Sequence, residues 1–319
     1  QVYVRRKPRS LTEHLGTGRH YNINSKSGRL HILYSDFANA EWSVYNNDLA
    51  AYEENMECIE AVKYPYVVIA PSYMIYTQNY DELLKTHIES GADITLLYHS
   101  VDNAKEYYLN CSTLNLNKQK GVLSLEPNHG NAKNRNIFMD TYVMRKDLFM
   151  ELVKKGRKIS SMFTLNDIVN MACSELDVRG VSHRGFFASI TDFKSYYNAN
   201  LSLIDMKNAV TLFDKNWPIY TRTNDSCPTK YYEGASVKSS VISNGCLIEG
   251  TVENSVIGRG CVIKKGAVVK DSVILPGVVI GEDARIEAQV VDKSARIVHA
   301  KELIADPEKP GYVRRNDTL

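Results

Sequence analysis

Two hydrophobic patterns divide the first two thirds of the chain into short and long segments. Apolar runs of about four to eight residues predict strands, whereas apolar residues spaced three and four apart predict amphipathic helices. The predicted strands are residues 29–35, 66–70, 93–100 and the first part of 141–156. The predicted helices are residues 47–63, 80–91, the second part of 141–156 and 192–205. This alternation predicts an α/β domain, and the continuously apolar run Tyr66–Ala70 predicts a parallel strand covered on both faces.

A third pattern begins near Ala235 and continues to Ile297. A small residue is followed two positions later by an aliphatic one, and the aliphatic positions recur mostly every five or six residues. The aliphatic positions are Ile242, Ile248, Ile257, Ile263, Val269, Ile274, Ile280, Ile286, Val291 and Ile297. Gln289 departs from the rule, because it stands where a small residue is expected. This hexapeptide repeat is typical of a left-handed parallel β-helix, whose interior the aliphatic side chains fill.

The three patterns predict the domain organisation. We expect an α/β domain over residues 1–205, a linker over 206–232, a left-handed β-helix over 233–298 and a C-terminal tail over 299–319. The linker is predicted because residues 213–231 contain two prolines and show little periodicity. Cys246 and Cys261 take the small-residue position in successive coils, so we expect both thiols to be buried and unreactive.

Composition changes this picture little. The 319 residues carry a formal net charge of +2, so no excess of charge points to nucleic acid or to a membrane surface. The six cysteines form no Cys-x-x-Cys pair, which argues against a zinc site or a disulfide framework. Reduced thiols and the lack of a membrane-spanning apolar run fit a cytoplasmic protein.

Four segments of the chain resemble the motifs of one enzyme family. Ser10–Arg19, SLTEHLGTGR, resembles the family's S-L-x-x-H-(I/L) helix, and Gly91–Tyr98, GADITLLY, resembles its A-D-I-T strand. Ser195–Asp205, SYYNANLSLID, is similar to F-x-E-A-N-L-x-L, and Leu212–Arg222, LFDKNWPIYTR, to F-x-x-x-x-P-(I/F)-Y-T. The family that these segments resemble is the glucose-1-phosphate adenylyltransferases, which belong to the sugar-nucleotide pyrophosphorylases. The resemblance implies a Rossmann-like nucleotidyltransferase domain followed by the β-helix. The family's glycine-rich loop, G-G-x-G-x-R, would precede Gln1, so we expect that domain to be incomplete in this chain.

The resemblance also implies a magnesium site for which this chain lacks the carboxylates. In the family, Mg²⁺ bridges the phosphates while glucose 1-phosphate attacks the α-phosphorus of ATP. Its ligands are the Asp of an S-G-D-H-(L/M)-Y loop and the Asp of a W-x-D-(I/V)-G-T segment. The matching positions here are Ser72, in IAPSYMIY, and Ser189, in FFASITDF. Asp192 lies three residues beyond Ser189, and we expect it to cap the following helix rather than to bind metal.

The implied sugar-phosphate pocket is altered as well. The family's E-K-P motif becomes Glu126-Pro127, without the lysine that pairs with the phosphate. Its S-M-G-I-Y strand becomes FMDTY, so that Phe138 replaces the serine and Asp140 replaces the glycine. We interpret these four residues as a vestigial pocket.

These replacements predict a non-catalytic, regulatory subunit, and the resemblance is closest to the GlgD-type branch of Gram-positive bacteria. We expect this chain to bind no cofactor productively and to form a heterotetramer with a GlgC-type catalytic subunit. That subunit uses Mg²⁺ to make ADP-glucose and pyrophosphate from ATP and glucose 1-phosphate for glycogen synthesis. In this family the β-helix contributes to oligomer contacts. The candidate interface residues are Val241, Ile257, Ile263, Val273 and Val279.

Three other functions stay open at this point, and for the third, a free-standing sugar-phosphate sensor, the sequence offers no specific feature. An active nucleotidyltransferase could rebuild its metal site from Asp48, Asp140 and Asp192. A hexapeptide acyltransferase would need a histidine base on a coil, yet the stretch from Ala235 to Ile297 contains no histidine. The sequence does not identify an effector, although a sugar phosphate or a nucleotide would fit the family.

Overall fold

The computed structural model describes residues 1–5, 8–16, 18, 21, 29–35, 45–214, 217–220 and 225–319. The chain folds into two compact units. One contains Gln1–Phe187 with Ile219–Thr223, and the other contains Ala188–Pro218 with Asn224–Leu319. The boundary therefore falls near residue 187, before the helix that we expected to close the first domain at residue 205. Thr17 and Arg19, which belong to the first family-like motif, lie outside the described residues.

The first unit has the mixed α/β fold that the strand and helix patterns predict. Its strands are β1 (Val2–Val4), β2 (Ile32–Tyr34), β3 (Tyr66–Ile69), β4 (Met74–Tyr76), β5 (Ile94–Val101), β6 (Ser112–Leu116), β7 (Val122–Pro127), β8 (Arg135–Arg145) and β9 (Val178–Ser182). Its helices are α1 (Pro8–Leu15), α2 (Asp48–Glu54), α3 (Met56–Glu60), α4 (Tyr80–Ser90), α5 (Lys146–Ile159) and α6 (Leu165–Ala172). A further strand, β10 (Phe187–Ser189), crosses the boundary between the two units.

A central sheet in the order β7-β6-β8-β5-β9 organises this unit, and β3 pairs with the end of β8. β3 and β5 both run antiparallel to β8, whereas β5 and β9 are parallel. β3 and β5 are therefore parallel to each other but separated by β8, which a crossover through α4 allows. Our expectation for Tyr66–Ala70 was wrong in its details, because β3 pairs antiparallel with β8 and its Val68 is 40% exposed.

Capping residues explain where the helices of this unit begin and end. Asn47 caps α2 and Asn79 caps α4, each through a side-chain oxygen that accepts hydrogen bonds from helix amides. Gly91 ends α4 with φ +68°, a left-handed conformation that glycine adopts at little cost. The helix predicted over residues 47–63 is divided at Asn55, which ends α2 and precedes α3. No helix in the described part of the chain is long and apolar enough to cross a bilayer.

Apolar side chains pack on both faces of the central sheet. On one face, Leu96 of β5 packs in a cluster with Leu152 of α5 and Ile168 of α6. On the other face, the neighbouring Leu97 packs in a cluster with Leu83 of α4. Because successive side chains of a strand point to opposite faces, β5 joins both layers and fixes the position of its carboxyl end.

The second unit contains α7 (Phe193–Ser202), α8 (Met206–Leu212) and a parallel β-solenoid, as the hexapeptide repeat predicts. The solenoid strands are β11 (Lys230–Tyr231), β12 (Ser236–Lys238), β13 (Val241–Ile242), β14 (Leu247–Ile248), β15 (Thr251–Glu253), β16 (Val256–Ile257), β17 (Val262–Ile263), β18 (Val268–Lys270), β19 (Val273–Ile274), β20 (Val279–Ile280), β21 (Arg285–Glu287), β22 (Gln289–Val291), β23 (Arg296–Ile297), β24 (Glu302–Ile304) and β25 (Gly311–Val313). They form three parallel sheets. We call them the first face (β11-β14-β17-β20-β23), the second face (β12-β15-β18-β21-β24) and the third face (β13-β16-β19-β22-β25).

Stacked apolar side chains fill the interior of the solenoid. Ile248, Ile263 and Ile280 hold the same register in successive coils, and each is 0% exposed. Cys246 and Cys261 are also 0% exposed, as we expected from their positions in the repeat. Burying one such aliphatic side chain contributes roughly 1.5–3 kcal/mol, so the stack is a main source of stability for this unit.

A column of hydroxyl groups holds one corner of the solenoid. Ser240 Oγ accepts the amide of Ser255 at 3.1 Å, and Ser255 Oγ accepts the amide of Ser272 at 3.0 Å. Ser272 Oγ then accepts the amide of Gln289 at 3.1 Å. The side-chain amide of Gln289, the exception in the repeat, ends the column by donating to the carbonyl of Glu287 at 3.3 Å. At this corner the preference for small residues therefore reflects hydrogen bonding as well as size.

Alternating charges line the second face. Lys238, Glu253, Lys270 and Glu287 hold the same outward position in four successive coils. Lys238 Nζ lies 3.8 Å from Glu253 Oε1. Each of these charges is thus stacked on one of opposite sign, which is the favourable arrangement for cross-strand pairs.

The solenoid is longer than the repeat pattern predicts. β24 pairs with β21 and β25 pairs with β22, so residues 299–319, which we expected to be a tail, add strands to two faces. At the other end, β11 begins inside the predicted linker. The repeat is hard to recognise near the C-terminus because Lys301 stands two positions before Leu303, where the pattern has a small residue.

Candidate functional site

The loop between β3 and β4 lies at the carboxyl end of β3, where open α/β sheets commonly bind ligands. It contains Pro71, Ser72 and Tyr73. Ser72 is exposed, and its hydroxyl makes no hydrogen bond with any described residue. Tyr73 is 37% exposed. The position that resembles the family's metal-binding Asp is therefore accessible and uncharged.

Asp140 lies in a bulge of β8 and contacts this loop. The register between β5 and β8 shifts beside Leu97, and Asp140 takes φ +45° in the resulting bulge. That backbone conformation favours glycine, and the family-like motif has a glycine at this position. The backbone geometry therefore supports the alignment that we inferred from the motif.

The Tyr73 hydroxyl donates a hydrogen bond to Oδ2 of Asp140. Burial raises the pKa of Asp140, whereas the hydrogen bond from Tyr73 and the positive charge of Arg5 lower it. Burial and the neighbouring Asp140 raise the pKa of Tyr73 well above its ordinary value. The phenol thus stays protonated and remains a hydrogen-bond donor, so the two side chains hold each other between the loop and β8.

Asp48 links two helices instead of standing free. Its Oδ1 accepts the amide of Leu49 at 2.8 Å and the amide of Leu165 at 3.1 Å, at the first turns of α2 and α6. Burial raises the pKa of Asp48, and these hydrogen bonds oppose the shift. Its oxygens are therefore already committed to backbone amides.

The four residues of the predicted vestigial pocket lie in different environments. Glu126 and Pro127 are exposed at the end of β7, and Ser124 Oγ donates to Glu126 Oε1 at 3.2 Å. Phe138 is 0% exposed and packs edge-on against Tyr142, with ring centroids 5.0 Å apart. Asp140 occupies the bulge described above. Where the family-like motif has a serine, the chain therefore places a core phenyl ring without any polar atom.

Ser189 and Asp192 belong to the second unit. Ser189 ends β10 and is 7% exposed. Asp192 Oδ1 accepts the amide of Ser195 at 2.6 Å, and Ser195 Oγ accepts the amide of Asp192 at 2.9 Å. This reciprocal pair is a capping box at the start of α7, so the predicted helix cap is confirmed.

The five interface candidates fall into three groups. Ile257 and Ile263 point into the solenoid and are 0% exposed, so they are not available to another subunit. Val273 is covered by α7, where it packs with Tyr197. Val241 and Val279 face outward on the third and first faces, and Val241 is 39% exposed. The sequence misleads here because both residues of many two-residue strands are aliphatic, although only one of them points inward.

The importance of Tyr73 could not be recognised from the sequence. Its partner is 67 residues away, so no local pattern reveals the pair. An outward stripe of Leu247, Val262 and Val279 on the first face was only partly recognised. The available signal was the first aliphatic residue of each Leu-Ile or Val-Ile pair in the repeat.

Known proteins resemble the chain at two levels. The family described as "GlmU-like, C-terminal hexapeptide" matches residues 228–312, which cover the solenoid. The glucose-1-phosphate adenylyltransferase of Clostridioides difficile (strain 630) is 29% identical over 284 residues, which cover 87% of this chain and 72% of that protein. The glucose-1-phosphate adenylyltransferase of Bacillus cereus (strain ATCC 10987) is 26% identical over 317 residues, which cover 97% of this chain and 82% of that protein.

These similarities extend through both compact units. They agree with the family-like motifs on either side of the unit boundary and with the backbone of Asp140 at a glycine position. By sequence similarity over most of its length, the chain resembles the glucose-1-phosphate adenylyltransferases of Clostridioides difficile and Bacillus cereus.

Proposed function

We propose that the chain is a non-catalytic, regulatory subunit that assembles with a catalytic glucose-1-phosphate adenylyltransferase. The observation that carries this proposal is the pair formed by Tyr73 and Asp140. A carboxyl group stands where the family-like motif has only a glycine hydrogen, and a phenol from the adjacent loop is bonded to it. Together they fill space beside β3, and a carboxylate there would repel a sugar phosphate.

The residues present do not fit the magnesium site that the family implies. Mg²⁺ binds through charged oxygen ligands, usually one or two carboxylates together with substrate phosphates. The two matching positions hold the hydroxyls of Ser72 and Ser189, which carry no charge. Within the described ranges, no group of three His, Cys, Asp or Glu side chains is close enough to hold a metal ion.

An active enzyme with unusual ligands has less support. Asp48 is committed to the backbone of two helices, Asp140 is bonded to Tyr73, and Asp192 caps α7. Recruiting Asp48 or Asp192 to a metal would compete with hydrogen bonds to backbone amides, and recruiting Asp140 would compete with its hydrogen bond from Tyr73. For the acyltransferase alternative, the single histidine within the matched hexapeptide region is His299, and no other feature favours that chemistry.

The solenoid carries an aliphatic surface that supports the proposed assembly. On the first face, the outward positions of β14, β17 and β20 are Leu247, Val262 and Val279, which form a continuous aliphatic stripe. The second face carries paired charges, and α7 covers part of the third. We propose that this aliphatic stripe contacts the catalytic subunit, with which the chain forms a heterotetramer, and biases that subunit's conformational equilibrium.

Enzyme assays test the proposal directly. ADP-glucose formation from ATP, glucose 1-phosphate and Mg²⁺ is measured for this chain, for a catalytic relative and for their mixture at a matched concentration of the relative. We expect negligible turnover by this chain alone and an altered kcat or KM in the mixture. Robust turnover by the chain alone would contradict the non-catalytic role, and a mixture equal to the relative alone would contradict the regulatory role.

Substitutions at the site sharpen this test. Ser72→Asp with Ser189→Asp restores the carboxylates, yet we expect little activity because Asp140 remains and the phosphate-pairing lysine is missing. Adding Asp140→Gly is expected to permit glucose 1-phosphate binding, which calorimetry measures without any need for turnover. Asp81→Gly, on the exposed surface of α4, controls for the loss of one negative charge. Full activity of the variant with Ser72→Asp and Ser189→Asp would show that the missing carboxylates alone account for the loss of catalytic activity.

A further inference from the structure

A second cleft lies at the carboxyl end of β5, away from the Tyr73–Asp140 pair. Its volume is about 470 Å³, which falls within the roughly 300–1,000 Å³ typical of small-molecule sites. The residues that matter for its chemistry are His99, Val101, Asp102, Asn103, Tyr108 and Asn134. All of them belong to the first unit, and none was assigned a role by the sequence motifs.

The loop that forms one wall of this cleft is held rigidly by Asn128. This buried side chain donates hydrogen bonds to the carbonyls of Ala104 at 2.8 Å, Tyr108 at 3.0 Å and Tyr107 at 3.2 Å. Its oxygen accepts the amide of Gly130 at 3.1 Å. A loop ordered before a ligand arrives lowers the entropic cost of binding.

The polar groups at the mouth of the cleft are available to a ligand. The side chains of Asp102, Asn103 and Asn134 are exposed, and none of them bonds to any described residue. A carboxylate offers acceptors only, whereas each amide offers both donors and an acceptor. Vicinal hydroxyl groups both donate and accept, so they match this set.

His99 adds a further acceptor. The Nε2 atom of His183 lies 3.0 Å from the carbonyl oxygen of Thr77, which can only accept, so Nε2 carries the proton. Nδ1 of neutral His183 is then an acceptor, and Nδ1 of His99, 3.1 Å away, must donate to it. Nε2 of His99 is therefore unprotonated and free to accept. Burial lowers the pKa of both rings, which keeps this arrangement neutral.

An apolar wall completes the cleft. The ring of Tyr108 stacks on Phe187 with centroids 5.4 Å apart and planes 9° apart, and Val101 lies beside them in the same lining. Aromatic rings bind the C–H faces of pyranose sugars, while the equatorial hydroxyls reach polar groups at the rim. No Lys or Arg belongs to the described lining, and the carboxylate of Asp102 would repel an anionic ligand.

From this combination we infer that the cleft binds a neutral pyranose sugar, with Asp102 and His99 accepting from its hydroxyls and Tyr108 packing against its ring. The site goes beyond the regulatory role proposed above and does not depend on it. A phosphorylated sugar is disfavoured because the nearest guanidinium on the paired strand, that of Arg135 opposite Val101, does not line the cleft.

Ligand-observed NMR titration of the full chain with methyl α-D-glucopyranoside tests the inference. We expect saturable binding that Asp102→Asn weakens about tenfold, since a hydrogen bond to a charged acceptor is lost. Glu89→Gln, an exposed acidic residue on α4, is the matched control and should leave binding unchanged. Tyr108→Leu removes the ring and should also weaken binding, whereas Tyr108→Phe keeps the ring and should not.

Three outcomes would overturn the inference. The first is the absence of saturable binding by the wild-type chain at millimolar sugar. The second is an equal loss in Asp102→Asn and Glu89→Gln, which would indicate a general charge effect. The third is tighter binding of glucose 1-phosphate than of the methyl glucoside, which would make the cleft an anion site. Asp102 is exposed in a loop, so its conservative variant keeps the test valid even where Tyr108→Leu fails to fold.

Discussion

Ser272 and Gln289 are joined across two coils of the solenoid by one hydroxyl group. Ser272 Oγ accepts the Gln289 amide at 3.1 Å and donates to the carbonyl of Lys270 at 2.7 Å. Ser272 is 0% exposed and Gln289 is 6% exposed, so water cannot replace either bond. The hydroxyl is therefore the partner of the buried Gln289 amide, whereas the Lys270 carbonyl also accepts the amide of Ala288 at 3.2 Å.

Ser272→Ala is expected to lower the free energy of unfolding of the solenoid by about 1–3 kcal/mol, because it leaves the buried amide of Gln289 without a partner. Urea denaturation followed by circular dichroism measures the change. Ser236→Ala, on the exposed second face, is the control and should change stability by less than about 0.5 kcal/mol. Equal effects of the two variants would show that the column of hydroxyls contributes nothing specific.

Asp192 is expected to stabilise the second unit through its cap and not through charge. Asp192→Ala should cost about 1 kcal/mol, whereas Asp192→Asn keeps a capping oxygen and should cost only a few tenths. Thermal denaturation of both variants distinguishes these values. If Asp192 instead stabilised the unit by binding a metal ion, both variants would lose the carboxylate and would lower the stability equally.

The paired histidines predict a pH dependence of stability in the first unit. Burial lowers the pKa of His99 and of His183, and also that of His87, so the folded state favours the neutral rings. The unfolded chain takes up protons below its ordinary histidine pKa of about 6.5, while the folded chain does not. Stability is therefore fully present above pH 6.5 and is lost as the pH falls through the lowered folded pKa values.

The expected loss between pH 7.5 and pH 5.5 is about 1–2 kcal/mol, measured by urea denaturation at each pH. His183→Gln keeps a donor for Thr77 but cannot be protonated, so its stability should depend less on pH than that of the wild-type chain. His129→Gln, at an exposed position, should retain the wild-type dependence. If the free energy of unfolding of His183→Gln depended on pH as strongly as that of the wild-type chain, the pH effect would arise from other groups.

Thiol labelling tests the packing of the solenoid interior. Cys246 and Cys261 are fully buried, and their hydrogen bond together with burial raises the pKa of Cys261. We expect a thiol reagent to modify the exposed Cys227 rapidly and the two solenoid cysteines only on unfolding. Mass spectrometry of the labelled peptides identifies each site. Rapid modification of Cys246 and Cys261 in the native protein would contradict the stacking described here.

The aliphatic stripe on the first face is expected to be an assembly surface. Val279→Glu places a charge in the stripe and should weaken assembly with a catalytic relative by at least tenfold, because burying an unpaired charge is costly. Size-exclusion chromatography at micromolar concentrations measures the complex. Ser236→Glu, on the charged second face, is the control and should assemble normally. Normal assembly of Val279→Glu, or a wild-type chain that stays monomeric beside the relative, would exclude this surface.

The fold was predictable wherever one periodicity dominates. The hexapeptide repeat depends on residues five or six positions apart, and it correctly predicts that Ile248, Ile263 and Ile280 lie in the interior of the solenoid. The order of strands in the α/β unit depends on pairings across the chain, so the insertion of β8 between β3 and β5 was not visible. The boundary near residue 187 was missed for the same reason, because Tyr197 of α7 packs on Val273 and Val290 of the solenoid.

The candidate site was predictable only in part. Ser72, Ser189 and Asp140 were identified because motifs align along the sequence, and the left-handed backbone of Asp140 supports that alignment. Tyr73 and His183 gain their roles from partners that are 67 and 84 residues away in sequence. Such long-range hydrogen bonds leave no trace in the periodicity of hydrophobic positions.

The alternating charges on the second face limit how the solenoid can change length during evolution. Deleting the single coil that carries Glu253 would stack Lys238 on Lys270, and deleting the coil that carries Lys270 would stack Glu253 on Glu287. Like charges in directly opposite positions destabilise a strand pair by roughly 0.2–1 kcal/mol. Removing both coils together would restore a pair of opposite charges, Lys238 with Glu287. Gain or loss of coils in this part of the chain is therefore favoured in pairs.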